Sequence, residues 1–404
     1  MSIVSIDKAM PKPSIGELVS RATEIGAFAR QAAEQTETNR RVSPLAIARM
    51  RDAGLFRIMQ PAVYDGYEYG FEALVPVVAA VGAGCASTAW VFSLGIVHQW
   101  LVAAFPEKTQ DEYWSNPDAI AFGSYPPVGK VVAVEGGYRL SGTWSFTSGC
   151  DHADWLVLGG MIPPRQGESA AAKLAFFLVP IGDVEIDDTW FTMGLAGTGS
   201  KNTVAKDAFV PEHRVVAVAD LLAGTAPGSR IHKNPLYRQS MLSAFPFALV
   251  SPLLGAAEGG LADFIDMAKI RTTRGAVTGG NNRMAEFATI QTRVAEATGA
   301  VEAARLTILT ALQDALVAAE AGRQADLDIR LRNRLRQAFS VKLIVQAIDA
   351  LFQAAGGQGI FTSKPIQRAW RDIHAGALHV SMNWDAVSTM YGQHALGLDP
   401  KGQY

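Results

Sequence analysis

Val131-Val132-Ala133-Val134-Glu135-Gly136-Gly137-Tyr138-Arg139-Leu140-Ser141-Gly142-Thr143-Trp144-Ser145-Phe146 decides how this chain is read. Two runs rich in β-branched and aromatic residues flank a Gly-Gly pair, the pattern of a hairpin. The strand period begins near Ala119 and continues past the hairpin. Trp155 to Leu158, Leu174 to Val179, Trp190-Phe191 and Thr203 to Val210 are further short β runs, and Pro211 ends the series. So many short strands within about 100 residues predict a compact β-domain, sandwich or barrel.

On the N-terminal side the period is helical. Ser14-Ile15-Gly16-Glu17 is a capping box, in which the Ser and Glu side chains satisfy orphan backbone N–H groups. Leu18, Ala22, Ile25, Ala29 and Ala32 follow at helical spacing. Ser43-Pro44 starts another helix and Gly54 stops it. Ala73 to Pro106 then contains no Asp, Glu, Lys or Arg. Those 34 residues could span a bilayer, yet Pro76, Gly82, Gly84 and Gly95 punctuate them, which favours two helices buried in a large protein.

On the C-terminal side, a Gly- and Pro-rich stretch (Gly224 to Pro235) precedes more helices. Ile290, Val294, Ala297, Val301, Ala304, Ile308, Leu312 and Leu316 form an apolar stripe in steps of three and four. Leu331 to Phe352 is a second long helix begun by Asp326 and Asp328. Its Arg330, Arg332, Arg334 and Arg336 are expected on a solvated or subunit-bridging face. The expected order is an N-terminal helical domain (1–115), a central β-domain (116–225) and a C-terminal helical bundle (226–404).

Composition narrows the function. The chain is 49% hydrophobic and only 18% charged, so much surface is expected to be covered by packing or by other subunits. With 36 basic and 38 acidic residues the net charge is -2, which disfavours a general nucleic-acid binder. Cys85 and Cys150 are the only cysteines, which fits a reducing compartment and excludes a disulfide scaffold. Met1 to Pro13 lacks the apolar core of a signal peptide, so a cytoplasmic location is expected.

Common cofactor motifs are missing. Gly194-Leu-Ala-Gly197-Thr-Gly199 leads into a strand rather than opening a helix, against a Rossmann site. There is no P-loop, HExxH or nucleophile elbow. Cys150-Asp151-His152 is expected to be a polar turn, because consecutive residues rarely converge on one metal; no metal site is expected. Of seven histidines, His98 stands out, since an imidazole in an uncharged segment needs a partner or a purpose. His374 and His379 are five apart, roughly 140° on a regular helix, so both cannot face one pocket.

Leu140 to Gly149 resembles the flavin-facing strand of the acyl-CoA dehydrogenase fold. Met193 to Ser200, with Val210-Pro211, resembles that fold's second β-domain signature. Gly356-Gly357-Gln358-Gly359-Ile360, then Arg368 and Arg371-Asp372, resembles its C-terminal signature. The resemblance implies an α+β, acyl-CoA dehydrogenase-like fold ending in a four-helix bundle. Within it, Ser87-Thr-Ala-Trp90, Val97-His98-Gln-Trp100, Ser148 to Trp155 and Trp370 to His379 resemble group D flavin-dependent monooxygenases. The same runs resemble those of secosteroid A-ring hydroxylases and of the p-hydroxyphenylacetate hydroxylase oxygenase component. Secosteroid-type sequences carry arginine where this chain has Ala196 in its Gly-Leu-x-Gly-Thr-Gly-Ser run.

The resemblance implies a two-component enzyme. A separate flavin reductase supplies FMNH2 or FADH2, O2 is co-substrate, and a C4a-hydroperoxyflavin hydroxylates a small phenolic or indolic substrate. It places catalytic groups at His98, His379 and Ser124, and cofactor contacts at Ser124, Trp144, Phe146, Thr147 and Ser148. One histidine would be the base and the other would steer the hydroperoxide, and a homotetramer is implied. An acyl-CoA dehydrogenase is the alternative. Its carboxylate base would fall at Val380, which cannot abstract a proton. A flavin-free helical interaction module is the third reading.

Overall fold

The computed structural model describes residues 12–164, 171–273, 282–323 and 325–404. Six helices come first: α1 (Ile15–Gln31), α2 (Ala33–Thr38), α3 (Pro44–Asp52), α4 (Phe71–Gly82), α5 (Ala86–Val102) and α6 (Glu107–Tyr113). The predicted starts hold. Ser14 and Glu17 form both halves of the capping box, and the Ser43 side chain caps α3 with Pro44 in its first turn. The uncharged segment divides into α4 and α5, of 12 and 17 residues, each shorter than the ~20 needed to cross a bilayer. Every residue of α5 is buried, so it is the axis around which the other elements pack.

The β-domain is one seven-stranded sheet in the order β5-β6-β2-β1-β3-β4-β7. Its strands are β1 (Ala121–Val134), β2 (Gly137–Thr147), β3 (Trp155–Ile162), β4 (Lys173–Pro180), β5 (Val184–Asp187), β6 (Lys201–Pro211) and β7 (Val215–Ala217). The hairpin around Gly136 is present, with Val134 paired to Gly137 and Val131 to Leu140. β1 serves two halves: Ala121–Ser124 pairs with β3 in parallel, while Lys130–Val134 pairs with β2. The register breaks between Ser124 and Gly129, where Pro126 and Pro127 have no N–H to give a ladder. Trp190-Phe191 is not a strand. The Trp190 indole N–H instead bonds the Leu195 carbonyl, pinning the segment as a loop.

The remaining helices are α7 (Val218–Ala223), α8 (Gly228–Ile231), α9 (Met241–Ala244), α10 (Phe247–Ile270), α11 (Ala288–Glu320), α12 (Leu327–Ala355), α13 (Pro365–Ala377) and α14 (Trp384–Ala395). α10 to α13 form the four-helix bundle expected at the C-terminus. α10 and α4 cross closely, since a Cβ at Gly255 would lie 2.3 Å from the Ala79 carbonyl. Among the described residues two helical stretches, Met241–Ile270 and Leu327–Ile360, are long and apolar enough to cross a membrane, and 89% of the most apolar part of the first, which contains α10, is buried in the protein.

The arginine run of α12 departs from expectation. Arg332 pairs with Asp328 and Arg336 with Asp314, but Arg334 is buried, 5% exposed. Alternate residues on a helix point some 200° apart, so a run spaced by two cannot share one face.

Candidate active site

α5 holds His98 with both ring nitrogens engaged. Nδ1 lies 2.7 Å from the Leu94 carbonyl, which can only accept, so Nδ1 carries the proton. Nε2 is therefore a lone pair, and the Tyr125 hydroxyl donates to it at 2.8 Å. Phe122, Tyr125 and Phe245 surround the ring at centroid distances near 6 Å. Burial holds the imidazole down at about 4, so it is neutral at pH 7.

His379 has the opposite tautomer. Its Nδ1 accepts from the Ser381 backbone N–H at 3.1 Å, which leaves the proton of the neutral ring on Nε2. Burial, with Arg334 nearby, again pulls it down to about 4. The expectation that His374 and His379 share a helix is corrected: α13 ends at Ala377, and His379 caps the following 3-10 turn. His374 is nonetheless elsewhere, bonded to the Trp370 carbonyl and facing Asp349 at 3.3 Å. The Trp90 ring lies 6.1 Å from His379. Trp90 stands eight residues before His98 on α5, a rise of about 12 Å.

Trp90 leads to Ser148. Its indole N–H donates to Ser148 Oγ at 3.2 Å, and Ser148 Oγ lies 2.7 Å from Ser200 Oγ, which lies 2.6 Å from Thr198 Oγ1. Thr198 donates to the Leu195 carbonyl, so Ser200 donates to Thr198 and Ser148 to Ser200. The Ser148 proton is thereby spent, and its oxygen accepts from Trp90 with one lone pair left over. That pair suits a ligand N–H, which the central ring of a reduced flavin provides. Beside it, Phe146 is left-handed (φ 62) in a bulge of β2 and 71% exposed, a conformation rare outside glycine and common at functional sites. Exposed Phe146, with Trp190 edge-on at 5.9 Å, offers a planar apolar ligand a surface.

Other expected site residues lie differently. Ser124 is buried and donates to the Ser145 carbonyl at 2.7 Å. Thr147 is buried against Thr203. Trp144, expected at the cofactor, is fully buried in the β-domain with its N–H on the Gly159 carbonyl, and has no surface to offer. Cys150-Asp151-His152 forms a turn whose side chains go separately to the Gly199 carbonyl, Lys201 and the Val42 carbonyl. The partners Tyr125 of His98, and Ser200 and Thr198 behind Ser148, were not singled out from the sequence. Tyr125 follows Ser124 directly, and only its fold partner His98 distinguishes it from a core tyrosine.

The Gly194–Gly199 loop precedes β6, not a helix, and α13 clamps it. Asp372 accepts from the Leu195 N–H at 2.6 Å and Arg371 donates to the Met193 carbonyl. The two signatures thus lock together and fix Thr198 and Ser200 under Ser148.

A pH dependence follows. His98, His152 and His379 are all lowered to about 4, chiefly by burial. The stability they contribute is present above about 6.5 and lost as pH falls toward 4. Burial raises Asp372 to about 6, so its contribution runs oppositely: present below about 4 and lost as pH rises through 6. Asp372→Asn keeps an acceptor for Leu195 but removes the opposing titration. The fall in Tm between pH 6 and 4 is therefore expected to steepen in that variant. An unchanged slope in thermal melts would contradict the raised carboxyl.

Comparison with known proteins identifies the family. Residues 21–119 match the acyl-CoA dehydrogenase N-terminal domain and residues 247–384 its C-terminal domain. The FADH(2)-dependent resorcinol hydroxylase oxygenase component of Rhizobium sp. (strain MTP-10005) is 46% identical, over 98% of each chain. The chain belongs to the flavin-dependent monooxygenases of the acyl-CoA dehydrogenase fold. The crystal structure of 3-HSA hydroxylase from Rhodococcus sp. RHA1 superposes on this oxygenase with a TM-score of 0.89 at 32% identity, covering 96% of this chain and 98% of the other. XiaF from Streptomyces sp., in complex with FADH2 and glycerol, gives 0.87 at 28% identity, covering 96% and 97%. As a member of this family the oxygenase is a two-component flavoenzyme, using reduced flavin and O2.

Proposed function

We propose that the oxygenase hydroxylates a small phenol, or an indole of similar size, with reduced FAD or FMN delivered by a partner flavin reductase. The opposed tautomers of His98 and His379 carry this reading. Bound reduced flavin would supply the activated oxygen atom, with Ser148 accepting from its ring N–H and Phe146 against its plane. The proton work falls to the chain. A phenol that displaces the Tyr125 hydroxyl donates to His98 Nε2, and its ring becomes more nucleophilic as that proton shifts. His98 is a weak base when buried, so it shares the proton in the transition state and does not hold it beforehand. His379 presents Nε2–H as a donor toward oxygen at the reacting centre. The uncharged and wholly buried α5 keeps water away from His98.

The dehydrogenase alternative is disfavoured, because at one position where such enzymes carry their base the side chain of Val380 is aliphatic and 79% exposed. The experiment is a coupled oxygenation assay with a flavin reductase and a panel of phenols and indoles. One hydroxylated product supports the reading; flavin oxidation yielding only peroxide with every compound refutes it. The purified chain alone, given NADH and flavin, is expected to leave the flavin oxidised, since it has no dinucleotide fingerprint. Rapid reduction would contradict the two-component assignment.

A homotetramer in the cytoplasm completes the proposal. Leu378, Leu396 and Leu398 are 85%, 80% and 60% exposed, large apolar side chains of the kind that subunits cover. Light scattering is expected to give four times 43.1 kDa, and a stable monomer at micromolar concentration would contradict it.

A further inference from the structure

Arg334 is a buried cation without an anion. Its Nη1 donates to Gln337 Oε1 at 2.7 Å, its Nε has no partner, and among the described residues no carboxylate pairs with it. Burying an unpaired guanidinium is costly, so folded proteins seldom keep one without a use. Further orphans lie next to it on α12 and in or just before α9, which packs on α12. Asn333 Oδ1, Ser243 Oγ, Ser240 Oγ and Gln239 Oε1 are buried without hydrogen bonds. One such atom is unremarkable; a group along 239–243 and 333–334 marks a place built for a polar ligand.

Its position is defined by its neighbours. Asn333 and Gln337 donate to the carbonyls of Ser243 and Leu242, tying α12 to α9. Phe245, two residues beyond Ser243, packs on the rings of His98 and Tyr125 at 6.0 and 5.8 Å. α12 also packs against the 3-10 turn that His379 caps. The polar group therefore borders the region between the two imidazoles.

We propose that Arg334, supported by Gln337, is a subsite for a second oxygen substituent on the aromatic substrate. This rests on the phenol-hydroxylating reading above. A guanidinium offers N–H donors only, and it binds a phenolic oxygen more strongly as that oxygen gains negative charge. One substrate hydroxyl then meets His98 Nε2 while the second oxygen meets Arg334. Phenols with a methyl in its place leave the cation unpaired.

The test compares resorcinol with 3-methylphenol, which has a methyl for the second hydroxyl. Kd is measured by equilibrium dialysis on the oxygenase holding reduced FAD without oxygen. The wild type is expected to favour resorcinol by about 10²-fold or more, the scale for a site built around a ligand hydroxyl. Arg334→Gln should bring the ratio to near one, and Arg334→Lys, which keeps the charge, to an intermediate value. If Arg334→Gln fails to fold, the wild-type ratio and Arg334→Lys still decide. Equal binding by the wild type, with hydroxylation intact, overturns the subsite alone, as does an unchanged ratio in Arg334→Gln. Binding of neither compound overturns the subsite together with the phenol reading.

Discussion

His98→Ala lowers the product formed per flavin oxidised by about 10²- to 10⁴-fold, the range for losing a positioned acid–base group. The expectation follows from the Nε2 lone pair, which Leu94 fixes by binding the proton on Nδ1 and to which the Tyr125 hydroxyl donates. Flavin oxidation continues in this variant and appears as peroxide, because the loss falls on transfer to the substrate. His98→Gln separates hydrogen bonding from proton acceptance: its amide oxygen can receive a phenol hydroxyl but cannot take the proton. Its product yield stays near that of the alanine variant. Yields close to wild type would remove the base from His98.

His379→Ala also lowers product yield by roughly 10²-fold, the scale of removing one oriented donor at a reacting oxygen. Here glutamine behaves differently. His379 offers an N–H, and a glutamine amide also offers one, so His379→Gln recovers much of the loss that His379→Ala suffers. The opposite pattern, with recovery at 98 and none at 379, would exchange the two roles. His374→Ala serves as the control, since its ring is held by Trp370 and Asp349 away from both sites. Loss of product in that variant alone would undo the choice of histidines.

Local rules made much of the fold legible. The Ser14 capping box, the Ser43-Pro44 start and the Gly136-Gly137 hairpin each depend on residues within a few positions. The glycine loop before β6 was readable for the same reason. Features set by distant partners were not. Trp190-Phe191 has strand composition, but the Leu195 carbonyl claims its indole. Trp144 sits in a flavin-like motif, yet packs inward beneath Gly129 and Gly142. Arg334 looks like its neighbours on α12, and only the bundle geometry buries it. His379 was assigned to a helix that stops two residues earlier, so its tautomer depended on a cap invisible in spacing alone. Tyr125 became a site residue only through His98, 27 positions away.

A single turnover under ¹⁸O₂, with reduced FAD on the oxygenase and a phenol present, tests the central claim most directly. One labelled oxygen in the hydroxylated ring, formed by wild type and nearly absent in His98→Ala, is the predicted result. Product without label, or labelled peroxide accounting for all the flavin oxidised by wild type with every phenol tried, would contradict it.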